Sequence, residues 1–320
     1  MKPTTWYDTF LEIIKKKYPK KAQLTDVLTE LLSLEREATY RRLRKEVFFS
    51  AQEIVTIASA WNISLDEIMG VNTGIIPFQM KDMNDSNALK EETNFLQSVT
   101  QSIAHVNDFS TAEFMDVCNR LPYQLLADYE YLSKFYYFKW VYQYNCVDGA
   151  NPFSKVDIPD DTQKFAKEYH RVAKQVANSS FIFDAKIFEY LIHDVEYFCS
   201  IYLITKEEKE LVKRDILRLL NYLHEIANTG CYPETQNKVS LFISELNVPV
   251  SYSYVYTPEI NVCNVHVFEN NKIYSFHSEM VENFITWMQQ KKKTSIQISE
   301  VDEKSRIDFF AVQRELLNNF

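Results

Sequence analysis

The residues best spaced to do chemistry together are Arg36, Glu37, Tyr40, Arg41 and Arg44. They stand at i, i+1, i+4, i+5 and i+8, so a helix gathers them on one exposed face. Three guanidinium groups and a phenol there suit phosphate oxygens and the O6/N7 edge of guanine, which a planar fork engages with two bonds. Arg42 and Lys45 flank that face. Leu34, Ala38, Thr39 and Leu43 occupy the other side, which is small or apolar and suited to packing. An arginine run by itself is more often a solvated helix face than a nucleic-acid surface, so its surroundings must decide.

The chemistries of catalysis leave no comparable trace. HExxH, GxSxG, the P-loop and the EF-hand loop are all absent from the sequence. His193-Asp194 and His224-Glu225 are sequence neighbours, which point about 100° apart on a helix and so form no acid–base pair. His266 and His277 could face each other across a hairpin, yet two histidines make no metal site. His105 and His170 stand alone. The five cysteines, Cys118, Cys146, Cys199, Cys231 and Cys263, are widely spaced, with no CxxC pair, and imply neither zinc nor a disulfide framework. The expectation is therefore no catalytic residue, no cofactor, no metal and no enzyme.

The elements around the arginine face give it context. Residues 21–32 carry Leu24, Val27, Leu28, Leu31 and Leu32, the stripe of an amphipathic helix, and a short break at Ser33-Leu34 separates it from the arginine helix. Ser50-Ala51-Gln52-Glu53 is a capping box opening a helix to Trp61, and Ser64-Leu65-Asp66-Glu67 is another, opening a short helix that ends at Gly70. With a first helix over Thr5 to Tyr18, five helices fill about seventy residues. This pattern resembles the phage-repressor-like (Xre-type) helix-turn-helix regulators, whose closing segment is similar to Ile63-Ser64-Leu65-Asp66-Glu67-Ile68. Tyr40-Arg41-Arg42-Leu43-Arg44 resembles the recognition helix of one subgroup. That subgroup usually has glycine where this chain has Lys45, and serine where it has Glu35. Phe138-Lys139-Trp140 and Ser305 to Phe310 are also similar to segments of the subgroup's second domain. The resemblance implies a lambda-repressor-like fold with Arg36, Glu37, Tyr40, Arg41, Arg42, Arg44 and Lys45 at double-stranded DNA. Tyr40 and Arg36 would be nearest base edges, while Arg41, Arg42, Arg44 and Lys45 would contact phosphates or flank the groove. It also implies a homodimer on two half-sites. Lys15-Lys16-Lys17 and Lys20-Lys21 serve either as helix-end charges or as flanking phosphate contacts.

Composition agrees with a helical protein. Four glycines in 320 residues argue against Rossmann and P-loop architectures, whose clustered glycines let backbone approach phosphate. The net charge of −9 divides unevenly: residues 1–80 hold eleven Lys/Arg and ten Asp/Glu, and the remainder holds 24 and 34. Nucleic-acid affinity must then be local to the first domain. No apolar run reaches the length of a membrane span and no signal-peptide core follows Met1, which predicts a cytoplasmic protein.

Residues 72–91 are rich in turn formers and mark a linker between domains at 1–71 and 92–320. Helical texture then predicts helices over 92–107, from the Ser110-Thr111-Ala112-Glu113 capping box to Asn119, over 123–144, 162–178 and 183–204, and over 205–227, the last capped by Thr205-Lys206-Glu207-Glu208 and closed by Gly230. The ten rings between Tyr123 and Tyr144 are too many for one stripe, and read as a helix buried on more than one side rather than a ligand cage. Period-2 segments follow at 250–256 and 262–268, with a hairpin turn at 269–272 and short strands at 273–276 and 295–298. Helices are predicted over 278–292 and 303–320. The fold expected is mainly α: a five-helix domain, then a larger, mostly helical domain with a small antiparallel sheet near the C-terminus. The function expected is sequence-specific DNA-binding regulation, the second domain dimerising or sensing a small molecule or protein. The alternatives are a protein-docking module, with Glu35, Glu37 and Arg41 at its interface, and, more distantly, an unrecognised enzyme.

Overall fold

The computed structural model describes residues 6–18, 20–61, 63–68, 78–80, 109–144, 151–257, 261–267 and 271–320. The helix expected over 92–107, His105, Cys146 and most of residues 72–91 lie outside them. The chain divides into two compact units, residues 1–75 and 76–320.

Unit 1 contains α1 (Trp6–Lys17), α2 (Lys21–Leu32), α3 (Arg36–Leu43), α4 (Ala51–Trp61) and the single turn α5 (Leu65–Ile68). Each of the first four turns an apolar stripe inward: Phe10 and Ile14 from α1, Leu24 and Leu28 from α2, Leu43 from α3, Ile57 and Trp61 from α4. The Ser50 box forms as its spacing predicts. Ser50 Oγ accepts from the Glu53 N–H at 3.2 Å, and the Glu53 carboxylate accepts from the Ser50 N–H at 2.8 Å.

Unit 2 departs from the mostly helical expectation. Among the described residues eight strands form one mixed sheet in the order β1-β7-β6-β5-β2-β3-β4-β8. They are β1 (Gln79–Met80), β2 (Glu113–Cys118), β3 (Asn178–Asp184), β4 (Lys238–Ser244), β5 (Tyr252–Tyr256), β6 (Asn261–Val267), β7 (Asn271–Ser275) and β8 (Ile296–Gln297). The sheet is thus neither small nor purely antiparallel. Its centre, β2-β3-β4, is parallel, with Glu113, Asn178 and Lys238 in one row. Gln79–Met80, inside the expected linker, pairs with β7.

The parallel strands were hidden for a physical reason. Ser179 to Asp184 and Val239 to Ser244 are buried without interruption, so both faces take apolar residues and no alternation is written into the sequence. Phe181 and Phe183 meet one core while Ile182 meets another. The helices expected over 162–178 and 183–204 each overran β3: α7 is Asp160–Ala173 and α8 is Ile187–Ser200. The Ser110-Thr111-Ala112-Glu113 signature leads into β2 through a short 3-10 turn rather than into a helix.

Helices cover both faces of the sheet. α6 (Glu130–Tyr144), α8, α9 (Lys206–Thr229) and α11 (Glu303–Asn319) contribute Phe135, Phe188, Leu219 and Phe310 to one core. α10 (Ser278–Lys293) contributes Val281, Phe284 and Met288 to the opposite one. In α6 four consecutive rings, Phe135 to Phe138, are buried, and Phe138 packs edge-on against Phe153 and Phe198 at 5.5 and 4.8 Å. The aromatic helix is core. Among the described residues no helix is long and apolar enough to cross a membrane.

Candidate nucleic-acid interface

α2 and α3 are joined by a turn whose geometry is set at Ser33. Ser33 is left-handed (φ 51°), its N–H bonds to the Glu30 carbonyl at 3.3 Å and the Leu34 N–H bonds to Thr29 at 3.1 Å. This is the Schellman closure of a helix end. α3 ends the same way. Lys45 is left-handed (φ 65°), with N–H bonds from Lys45 to Arg42 at 3.0 Å and from Glu46 to Arg41 at 2.9 Å. Lys45 therefore takes a left-handed conformation of the kind that glycine ordinarily supplies at a helix end. Glu35, in place of the usual serine, makes no side-chain cap bond at the start of α3.

Thr39 and Leu43 anchor α3 in the core. Thr39 is fully buried and its hydroxyl receives a bond from the Thr29 hydroxyl at 3.1 Å, which ties α3 to α2. Arg42 lies on the inner flank, where its Nε and Nη2 fork the Glu53 carboxylate at 2.9 Å each. The two side chains are only 18% and 15% exposed, so this pair braces α3 against α4. Burial pushes the Glu53 carboxyl up, but the Arg42 fork and the Ser50 N–H outweigh it and hold it below its ordinary value. Lys45 pairs with Asp8 on α1.

The remaining candidates are solvent-facing. Arg36, Glu37, Arg41 and Arg44 are exposed and Tyr40 is half-buried, with the Lys21 ammonium 5.7 Å above its ring. Every guanidinium on this face already has a carboxylate: Arg36 pairs with Asp26 at 3.1 Å, Arg44 with Glu37 at 3.0 Å and Glu46 at 3.2 Å, and Arg41 with Glu46 at 3.7 Å. Such exposed pairs contribute about 0–1 kcal/mol each, so exchanging the carboxylate for a phosphate costs little. Asp26 and Glu46 escaped the sequence reading because each lies off α3 itself, and only the folded turns bring them to it. Among the flanking lysines, Lys17 donates to the Trp61 carbonyl at 3.0 Å and thereby closes the end of α4.

The His–carboxylate neighbours of the sequence find other partners in unit 2. The β6–β7 register sets His266 opposite Lys272, not His277. His224 lies against the Phe310 ring, with Arg314 3.0 Å from its Nδ1, and Asp194 pairs with Lys139 at 2.7 Å. His170 is buried, bonded through Nδ1 to the Gln124 carbonyl, with Asp128 2.8 Å from Nε2. That pairing spans two elements and left no signal in the sequence. Among the described residues no three His, Cys, Asp or Glu side chains converge as a metal site would require. No protein-family model, no curated protein and no solved structure matches this chain.

Proposed function

We propose that the chain is a cytoplasmic, sequence-specific DNA-binding regulator rather than an enzyme, acting as a homodimer through α3. The observation that carries the reading is the pair of Schellman-closed helices α2 and α3, which presents Arg36, Arg41 and Arg44 together on a solvent-facing surface beside Tyr40. Arg36 and Tyr40 near the start of α3 would meet base edges, while Arg41 and Arg44 would meet phosphates. Arg42 and Lys45 support the frame from behind through Glu53 and Asp8.

The test is binding of purified protein to duplex DNA from around its own gene, across a salt series. The expected result is a sequence-preferring complex whose log K falls with log salt and weakens in Arg41→Ala and Arg44→Ala. Absence of binding at low salt would sink the reading. A second reading, docking of a partner protein, draws support from Phe48, which is 67% exposed at the end of the α3 turn. Glu46→Gln separates the two. Freeing Arg41, and relieving Arg44 of one of its two carboxylates, strengthens a DNA complex, whereas docking gains nothing from the lost charge.

A further inference from the structure

α8 carries apolar groups on its outer face as well as its inner one. The inner face meets the core through Phe188, Leu191, Ile192, Val195 and Phe198, spaced as an amphipathic helix requires. The outer face should then be polar, and part of it is: Glu189, His193, Glu196 and Ser200 are exposed. Tyr190 and Tyr197 are exposed as well, and being seven residues apart they point almost the same way. Ile201, also exposed, continues their line past the helix end. Tyr202 closes the helix in the left-handed conformation (φ 60°), with its N–H on Cys199 at 3.1 Å and the Leu203 N–H on Phe198 at 3.0 Å. Glycine takes that position freely, whereas a tyrosine there is strained, and its ring is left 92% exposed. Val250, exposed on the segment entering β5, borders the same hollow as Tyr190. Together these five side chains expose roughly 400 Å², the size of patch that is often functional on a protein surface.

The spacing of the stripe selects its occupant. Counted from a midpoint between His193 and Asp194, Tyr190 and Tyr197 are equally far out, and so are Lys186 and Ile201. A stripe with matched positions at both ends suits a two-fold axis, because each residue then meets its counterpart from the other end. An antiparallel second copy of α8 sets Tyr190 on the partner's Tyr197 and lays the Lys186 stem along the partner's Ile201. Glu189 and Glu196 stand about 90–110° round the helix from the tyrosine line, so their charges stay outside the seam. Lys209, 4.0 Å from Glu196, offsets part of that charge. A stable dimer needs about 800 Å² from each partner, and this polar rim supplies what the apolar stripe does not. We propose that the chain dimerises about a two-fold axis through α8, with Tyr190 and Tyr197 along the seam and His193 beside the axis. This surface deepens the homodimer proposed above, and it does not depend on α3 binding DNA.

The experiment is sedimentation equilibrium of the full chain without DNA, over a concentration series, which should show a monomer–dimer equilibrium. Tyr190→Glu and Tyr197→Glu each weaken the dimer by roughly thirtyfold or more, because each sets a carboxylate against the facing ring. An unchanged far-UV circular dichroism spectrum shows that the variants fold; if either does not, cross-linking decides. With a short bis-maleimide, His193→Cys gives a covalent dimer above the level of the parent. Tyr202→Cys does not, because its two copies stand at opposite ends of the seam, roughly 25 Å apart. The proposal is overturned if the parent sediments as a monomer throughout, or if its dimer is as tight in both glutamate variants. It is also overturned if His193→Cys cross-links no more than the parent or Tyr202→Cys. A dimer of this kind that binds no DNA sinks only the α3 reading, and DNA binding by a chain that stays monomeric sinks only this one.

Discussion

Arg42 and Arg44 are two residues apart in one run, yet the fold gives them different work. Arg42 is withdrawn to Glu53 and braces α3, while Arg44 stays in solvent with Glu37 and Glu46. Arg42→Ala should lower the stability of unit 1 by about 2 kcal/mol, since it strips a charged group of its hydrogen bonds. Arg44→Ala should leave stability nearly unchanged and weaken only DNA binding. Denaturant melts of both variants check this. The Glu53 carboxyl is held below its ordinary 4.5 in the folded chain, so the brace contributes fully above that pH and is lost as pH falls through the folded value. Asp116 behaves oppositely. It is buried in β2, receives Gln124 Nε2 at 3.3 Å, and has no hydrogen bond to Oδ1 among the described residues. Burial raises it to about 6 from 3.8, against the pull of Lys272 and bonds with Cys118 and Gln124. The unfolded chain therefore ionises first, and stability falls as pH rises from about 4 to about 6, by ~3 kcal/mol at this site. The stability difference between Asp116→Asn and the parent should change by that amount between pH 4 and pH 7, in favour of the variant at pH 7.

Among the elements, α6 depends on a residue from another helix. Asp215 on α9 is fully buried, and its carboxylate accepts from the Tyr131 N–H at 2.7 Å and the Leu132 N–H at 3.4 Å, capping the start of α6. Arg218 approaches the same carboxylate at 3.2 Å. Asp215→Ala should cost about 2 kcal/mol, measured by urea unfolding, because it leaves the first turn of a buried helix without acceptors. Gly230 closes α9 in a left-handed conformation (φ 69°) with its N–H on Ile226 at 2.8 Å. A Cβ there would come within 2.3 Å of the Glu300 side chain, which is flexible enough to move aside. The backbone strain remains, so Gly230→Ala should cost about 1–2 kcal/mol in the same unfolding measurement. The sequence marks this stop, and the box at Thr205, which forms with both of its bonds. Its boxes are less decisive at Ser110, where β2 follows. A cap satisfies backbone donors only once a helix exists, and β2 is held instead by ladder bonds to β3 and β5.

At the scale of the whole molecule, charge is divided between the units. Residues 1–80 are nearly neutral and the rest strongly acidic, so the DNA affinity proposed for this chain would have to come from its first eighty residues. If a dimer places two guanidinium groups per protomer, Arg41 and Arg44, on phosphates, log K should fall with log salt at a slope of about −4. Titrations at several salt concentrations give that slope, and Glu46→Gln should strengthen binding across the series. A shallow slope of about −1 would mean that the arginine face is not engaged.

What the sequence alone determined was local: the caps at Ser50 and Thr205, the stop at Gly230, the amphipathic stripe of α2, and the arginine-bearing face of α3. These depend on residues within one or two turns of each other, and their spacing records them. What only the tertiary structure decided was non-local. The parallel centre of the sheet has partners about sixty residues apart, as Asn178 and Lys238 are, and burial on both faces erases the period that would reveal it. Asp26, Glu46 and Glu53 become partners of the arginines only through the turns that fold them back.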